Sequence, residues 1–307
     1  MTDLIVITGP TAVGKTAAAI ALAKKINGEI VSADSMQVYK YMDIGTAKPS
    51  ADELALVTHH MVGVVEPDEA FSAARYQRMA RACIDDIAER GKTPVLTGGS
   101  GFYINAVLKN IEYDETEKDD AYRNWLYRQA ETNGARYLHE WLKHADPVSY
   151  EKIHPNNVKR VARALEFYKE TGKRISEVSE SQKKSGIYYN ARTYILSMDR
   201  KLLYERIDAR TERMFDDGFV EEVRSLLLRG YTADLPPMQG LGYKEVLQYL
   251  NGFIDLPDAV ENVKQATRRY AKRQLTWFKN QTDGTRADVP DEKSFTSFIG
   301  DVVQSHK

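Results

Sequence analysis

A glycine-rich segment near the N-terminus constrains the fold of this chain more than any other feature. Residues 9–16 read GPTAVGKT, which matches the pattern G-x4-G-K-[ST]. The apolar run at residues 4–7 predicts a buried strand before this segment, and the alanine-rich stretch at residues 16–26 has helical spacing. The glycines therefore lie at a strand-to-helix turn, which is the context that a phosphate-binding loop requires.

The chemistry of such a loop favours a diphosphate ligand. Backbone N–H groups at the start of the helix point into the loop and carry the positive end of the helix dipole. Lys15 adds a full positive charge, and the Thr16 hydroxyl is a candidate Mg²⁺ ligand. The pattern identifies neither a base nor a sugar, so the leaving group need not be ADP. The predicted diphosphate-binding residues are Gly9, Pro10, Thr11, Ala12, Val13, Gly14, Lys15 and Thr16.

Strand-like and helix-like segments alternate after the loop. Strands are predicted at residues 29–32, 61–65 and 93–97, and a helix capped by Ser72 at residues 71–91. This alternation is typical of a parallel sheet covered by helices, in which ligands bind at the carboxyl ends of the strands. Asp34 and the glycine-rich residues 98–101 both follow predicted strands.

The pattern changes after residue 111. An acidic stretch, interpreted as a surface connection, leads into helical periodicity over residues 121–181, and a strand pattern returns at residues 193–197. We therefore predict a P-loop NTPase-like α/β core with a helical insertion. The predicted boundaries are 1–111 and 191–281 for the core, 112–190 for the insertion and 282–307 for a loosely attached C-terminal tail.

Composition restricts the environment and the partners. A net charge of −1 argues against non-specific coating of nucleic acid, although it permits a local basic face. The single cysteine, Cys83, excludes an internal disulfide framework and favours a reducing cytosol. The sequence shows no export signal, no membrane-spanning run and no coiled-coil seam, so we expect a cytoplasmic monomer.

Two basic segments are candidates for binding a phosphate backbone. In the first, residues 154–163, Lys159 and Arg163 lie on one helix face with Arg160 nearby. The second, residues 264–281, has no acidic residue and interleaves aromatic side chains that could form a stacking platform. Alternatively, these cations are only solvated or pair with carboxylates elsewhere. The second segment contains Lys264, Arg268, Arg269, Tyr270, Lys272, Arg273, Trp277, Phe278 and Lys279.

Several separated motifs, taken in order, resemble the tRNA dimethylallyltransferase family. The resemblance covers nearly the whole chain. The motifs are GPTAVGKT at 9–16, SADSMQVY at 32–39, MDIGTAKP at 42–49, GGS at 98–100, RALE at 163–166, GLGY at 240–243 and KRQLTW at 272–277.

The resemblance implies an enzyme that moves a dimethylallyl group from dimethylallyl diphosphate to N6 of adenosine 37 in certain tRNAs and releases diphosphate. Given this reaction, we expect Asp34 to hydrogen-bond the N6 amine and then to take its proton. The larger eukaryotic relatives carry a C-terminal zinc finger, which a chain with one cysteine lacks. The residues expected to contact tRNA are Asp34, Ser35, Met36, Gln37, Ser100, Arg123, Asn157, Val158, Lys159, Arg160 and Val161.

The residues themselves fit this chemistry. Loop amides, Lys15 and a Mg²⁺ ion at Thr16 would stabilise the charge of the departing diphosphate. The N6 proton becomes acidic as the new C–N bond forms, so a carboxylate at Asp34 can accept it late. Without the family context, a capping role after the strand would be the simpler interpretation of Asp34.

Three other functions use the same loop. A nucleotide or small-molecule kinase would bind ATP there, but it needs an acceptor site and an arginine-rich lid that the sequence does not indicate. An enzyme that prenylates free AMP or ADP would have no use for the helical insertion and the basic helix. A GTP-dependent switch would carry an Asn-Lys-x-Asp element, which is absent.

Overall fold

The computed structural model describes residues 1–111, 120–184 and 186–306, and it forms two compact units. The core unit comprises Met1–Leu108 and Tyr188–Lys307, and the helical unit comprises Lys109–Ile187. Most of the predicted acidic connection, residues 112–119, lies outside the described residues.

The core unit contains one six-stranded parallel sheet with the strand order β3-β2-β4-β1-β5-β6. The strands are β1 (Asp3–Thr8), β2 (Gly28–Ser32), β3 (His59–His60), β4 (Thr93–Gly98), β5 (Asn190–Ser197) and β6 (Thr285–Asp288).

Helices cover this sheet and build the helical unit. The helices of the core unit before the insertion are α1 (Lys15–Lys25), α2 (Ala51–Leu56), α3 (Ala73–Glu89) and α4 (Gly101–Leu108). Those of the helical unit are α5 (Asp120–Asn133), α6 (Ala135–Glu140), α7 (Leu142–Ala145), α8 (Pro147–Lys152), α9 (Val158–Thr171) and α10 (Ile175–Lys184). The core unit then continues with α11 (Arg200–Asp216), α12 (Phe219–Leu228), α13 (Tyr243–Leu250), α14 (Leu256–Gln281) and α15 (Glu292–His306).

The central strand β1 explains why two sequence segments meet. Its residues 4–8 are all buried, as expected for a strand covered on both faces. Its last residue, Thr8, is in register with Gly98 at the end of β4, and the Thr8 hydroxyl donates to the Gly98 carbonyl at 2.9 Å. The phosphate loop after β1 and the glycine-rich turn after β4 therefore begin side by side.

The C-terminal tail prediction was wrong. β6 adds the last strand to the sheet beside β5, and α15 buries Phe298, Ile299 and Val302 in the same apolar cluster as the buried face of α1. These residues recur at helical spacing, and their burial anchors the segment. Residues 282–306 are thus an integral part of the core unit.

The predicted strand at residues 61–65 was also wrong. β3 consists of His59–His60, and Met61 and Gly63 have positive φ angles of 63° and 60° that turn the backbone after it. Val65 pairs only as an isolated bridge with Tyr39. The apolar residues there pack around a turn.

The helical unit has its own apolar centre. Leu126, Leu138, Leu142 and Val161 are fully buried there, from four different helices. No helix among the described residues is both long enough and apolar enough to span a membrane.

Candidate active site

The loop at residues 9–16 has the backbone geometry of an anion site. Gly9 and Gly14 have positive φ angles of 150° and 100°, and a Cβ on Gly9 would lie 2.6 Å from the Leu196 carbonyl oxygen. Gly14 precedes α1, and no side chain caps the start of that helix. The first N–H groups of α1 therefore remain available to an anionic ligand.

Lys15 lies inside this loop. Its Nζ donates to the Pro10 carbonyl at 2.8 Å. Burial lowers the pKa of Lys15 to about 8; the nearby Asp34 carboxylate opposes this shift, and the Arg210 guanidinium adds to it. Burial disfavours the protonated form of the amine, so an anionic ligand beside Lys15 would stabilise that form.

Arg210 is a second cation at the loop, and no sequence motif predicted it. It lies on α11 and donates to the Thr11 hydroxyl at 2.7 Å. Its Nε is buried without a hydrogen-bond partner in the part of the chain that the structure describes, and burial lowers the Arg210 pKa. One feature of the sequence could have indicated Arg210. It lies next to the apolar face of α11, whose buried residues are Leu203, Ile207 and Thr211.

Asp34 lies just beyond the end of β2 and has two roles in the geometry. Its Oδ1 accepts hydrogen bonds from the backbone N–H of Met36 at 2.9 Å and of Gln37 at 3.3 Å, so the capping interpretation is correct as far as it goes. Asp34 also lines the same cavity as Lys15. A capped turn fixes the direction of the carboxylate without consuming its second oxygen.

The neighbours of Asp34 hold the surrounding turn. The Ser35 N–H donates to Ser100 Oγ at 3.0 Å, and Gln37 Nε2 donates to the Ala47 carbonyl at 2.9 Å. Met36 lies against Gly240, where a Cβ would come within 2.6 Å of its methyl group. The structure therefore brings together the predicted residues 34–37 and Ser100.

One cavity of about 1090 Å³ is lined by Lys15, Asp34, Gln37 and Arg210. This volume is slightly above the usual range of about 300–1,000 Å³ for ligand pockets. The lining includes Thr11, Ala12, Gly14, Lys15, Thr16, Asp34, Gln37, residues 43–44 and 46–51, Gly98, Arg210, Arg213, Met214 and Asp217.

The donor set suits Mg²⁺ bound with its substrate. Thr16 offers its hydroxyl to the cavity beside Lys15. Among the described residues, no group of three or more histidine, cysteine, aspartate or glutamate side chains could hold a metal alone. Mg²⁺ commonly takes one or two protein ligands and fills its shell with phosphate oxygens and water.

The predicted RNA-contact residues of the helical unit differ in exposure. Lys159 and Arg160 are exposed on α9, and Asn157 caps that helix by accepting from the Arg160 N–H at 3.4 Å. Val161 is fully buried, so we no longer expect its side chain to contact RNA. Val158 packs against the same apolar cluster.

Arg123 in this unit is held by a buried carboxylate. Glu166 is fully buried and pairs with Arg123, and its other oxygen accepts from Arg163 at 3.0 Å. The Glu166 carboxylate therefore holds both Arg123 on α5 and Arg163 on α9 in place.

The interpretation of α14 as a fully cationic, aromatic surface needs correction. Arg268 pairs with Asp208 at 2.7 Å and Glu261 at 2.8 Å, and Lys264 pairs with Glu212 at 2.6 Å. Phe278 is buried, and Trp277 packs so closely on Gly101 that a Cβ there would overlap the indole. The cations of α14 that remain exposed are Arg269, Lys272, Arg273 and Lys279.

Comparison with known proteins identifies the family. A family model described as IPP transferase matches residues 37–281. The chain belongs to this family. The predicted family resemblance is thereby confirmed.

Individual IPP transferase relatives match over nearly the full length. The chain is 48% identical over 304 residues to a tRNA dimethylallyltransferase of Lachnoclostridium phytofermentans, covering 99% of this chain and 97% of the relative. A tRNA isopentenylpyrophosphate transferase from Bacillus halodurans is 40% identical, with a TM-score of 0.73 and coverage of 99% and 96%.

A structure of a eukaryotic dimethylallyltransferase acting on tRNA is 31% identical, with a TM-score of 0.79, and covers 96% of this chain and 75% of its own. The predicted α/β fold, a parallel sheet covered by helices with a helical insertion, is confirmed by this similarity and by the sheet topology.

Proposed function

We propose that this protein transfers a dimethylallyl group from dimethylallyl diphosphate to N6 of adenosine 37 in tRNA and releases diphosphate. The observation that carries the proposal is the placement of Lys15, Thr16 and Asp34 on one cavity. The names of the IPP transferase relatives support the choice of a prenyl donor and a tRNA acceptor.

The loop side of the cavity would bind the diphosphate. Free N–H groups at the start of α1, together with Lys15 and Arg210, converge on the space beside Thr11. On binding, Lys15 would exchange the Pro10 carbonyl for a phosphate oxygen. Mg²⁺, with Thr16 as one ligand, would neutralise further charge on the departing group. These fixed positive groups favour the diphosphate most as its bond to carbon breaks.

The part of the cavity that contains Asp34 would bind the acceptor adenosine. The N6 nitrogen forms a bond to C1 of the dimethylallyl group while the bond from C1 to the diphosphate oxygen breaks. One N6 proton then passes to the Asp34 carboxylate, whose direction is fixed by the Met36 and Gln37 N–H groups. The adenine must leave the anticodon-loop stack to reach this point, which costs a few kcal/mol that contacts in the cavity can offset.

Labelled dimethylallyl diphosphate tests the proposal. The purified protein with Mg²⁺ is offered an anticodon stem-loop with adenosines at positions 36–38, a stem-loop with guanosine at 37, or AMP. A parallel reaction contains ATP without a prenyl donor. Label on the first stem-loop alone is the expected result. Label on AMP would favour a free-adenylate prenyltransferase, and ATP turnover without prenyl transfer would favour a kinase.

A further inference from the structure

Gln274 joins two separate parts of the candidate active site. It lies on α14 and is only 5% exposed. Its Oε1 accepts from the Thr11 N–H in the phosphate loop at 2.8 Å, and its Nε2 donates to the Gly99 carbonyl at 2.9 Å. Each end of one buried carboxamide is therefore bonded to the backbone of a different loop.

The second of these loops leads to Asp34. Ser100 follows Gly99, and its N–H donates to the Ala33 carbonyl at 3.1 Å while its Oγ accepts from the Ser35 N–H at 3.0 Å. Ser100 thus binds the residues on both sides of Asp34. A continuous hydrogen-bonded path runs from the phosphate loop through Gln274 to the turn that carries the proposed base.

The first loop is equally constrained around Thr11. The peptide between Pro10 and Thr11 has its carbonyl bonded to Lys15 and its N–H bonded to Gln274, and the Thr11 hydroxyl is bonded to Arg210. Gln274 therefore orients the peptide that holds Lys15 and the residue whose hydroxyl holds Arg210.

The choice of glutamine at this position is specific. Its neighbours on the buried face of α14 include Ala271 and Phe278, so an apolar side chain would suit the packing. A buried amide is stabilising only when both its donor and its acceptor are satisfied. Gly99 permits the contact, because a Cβ at that position would overlap the Gln274 amide nitrogen.

We propose that Gln274 is a positioning residue that fixes the diphosphate-binding loop relative to Asp34. This inference rests on the function proposed above. Without the carboxamide, each loop would still exist, but the reacting carbon and the base would lose their alignment. A misplacement of about 1 Å can reduce an enzymatic rate about 100-fold.

The test compares Gln274→Met with Gln265→Met, an exposed glutamine on the same helix. Single-turnover transfer is measured with saturating donor and tRNA and is expressed per bound tRNA complex. We expect Gln274→Met to slow transfer about 10- to 100-fold while the Kd for tRNA changes less than about twofold. Gln265→Met should match the wild type in both. A purely structural role would instead reduce the amount of complex and leave the rate per complex unchanged, which would overturn the inference.

Gly99→Ala provides an independent variant, because its methyl group displaces the Gln274 amide without altering α14. We expect a comparable loss of rate, and the double variant with Gln274→Met should lose no more than the worse single variant. Additive losses would overturn the shared path. Normal transfer by Gln274→Met would overturn this inference alone, whereas absence of transfer by the wild type would overturn the proposed function and this inference with it.

Discussion

Glu222 accepts a hydrogen bond from the Tyr243 hydroxyl at 2.7 Å, although the two residues lie on different helices, α12 and α13. The same carboxylate accepts from three consecutive backbone N–H groups, those of residues 43, 44 and 45, at 2.6 to 3.0 Å. This segment lines the cavity through Asp43 and Ile44. The wall of the cavity is therefore anchored by a side chain far away in sequence.

We expect Glu222→Ala to loosen the backbone segment at residues 43–45. Three N–H groups and one hydroxyl would lose a charged acceptor, and hydrogen bonds to charged groups contribute about 1.5–3 kcal/mol each. Because water can replace part of this, we expect the free energy of unfolding to fall by about 2–4 kcal/mol and the donor KM to rise. Urea unfolding and steady-state kinetics measure both. Glu221→Ala, an exposed neighbour, is the control; equal effects from both variants would contradict the anchoring role.

Asp34→Asn separates the base from the cap. Asparagine retains an Oδ1 acceptor for the Met36 and Gln37 N–H groups, but it cannot take the N6 proton. We expect single-turnover transfer to fall at least about 100-fold, the lower end of the usual contribution of general base catalysis. The Kd for tRNA should stay close to the wild-type value. Transfer at the wild-type rate would exclude Asp34 as the base.

The pKa of Lys15 makes donor binding dependent on pH. With a pKa of about 8 in the free protein, Lys15 is charged below that pH and becomes neutral as the pH rises through it. A bound diphosphate stabilises the charged amine, so binding above pH 8 takes up a proton. The donor Kd should therefore rise towards about tenfold per pH unit above 8. Titration of dimethylallyl diphosphate without tRNA measures this dependence. Lys15→Arg should flatten the profile because arginine stays charged. A flat wild-type profile would contradict the assignment.

Two sets of cations on α14 should behave differently. Arg269→Gln with Lys272→Gln removes exposed charges and should reduce the slope of log Kd for tRNA against log salt by up to about 2. Lys264→Gln with Arg268→Gln removes charges already paired with carboxylates and should leave the slope nearly unchanged. Filter binding over a range of salt concentrations distinguishes them. Equal slopes for the two double variants would mean that this face does not meet the RNA.

Local sequence patterns predicted the local parts of the site. The strand, loop and helix around Lys15 follow from residues that are adjacent in the chain, and so does the turn at Asp34. Arg210, Glu222 and Gln274 could not be placed in this way, because each reaches the site from a helix about 180 to 260 residues away. Their only local signal is a polar side chain near an apolar helix face, which identifies a buried partner without naming it.

Partners that are distant in sequence also explain why α14 was predicted to present all of its cations to solvent. The sequence shows no acidic residue between 264 and 281, yet the partners of Lys264 and Arg268 come from α11 and from Glu261, two turns before Arg268 on α14. The error at α15 has a different cause. The apolar residues Phe295, Phe298, Ile299 and Val302 recur at helical spacing, and this spacing indicates an anchored helix rather than the loose tail that was predicted.

The two segments of the core unit meet at the point where the helical unit is inserted. Leu108 ends α4, and the Tyr188 N–H donates to the Leu108 carbonyl at 2.8 Å, so the two edges of the gap are adjacent. A turn of a few residues is enough to join them. We therefore expect the core unit to fold with an inserted segment of different length or sequence between these two positions.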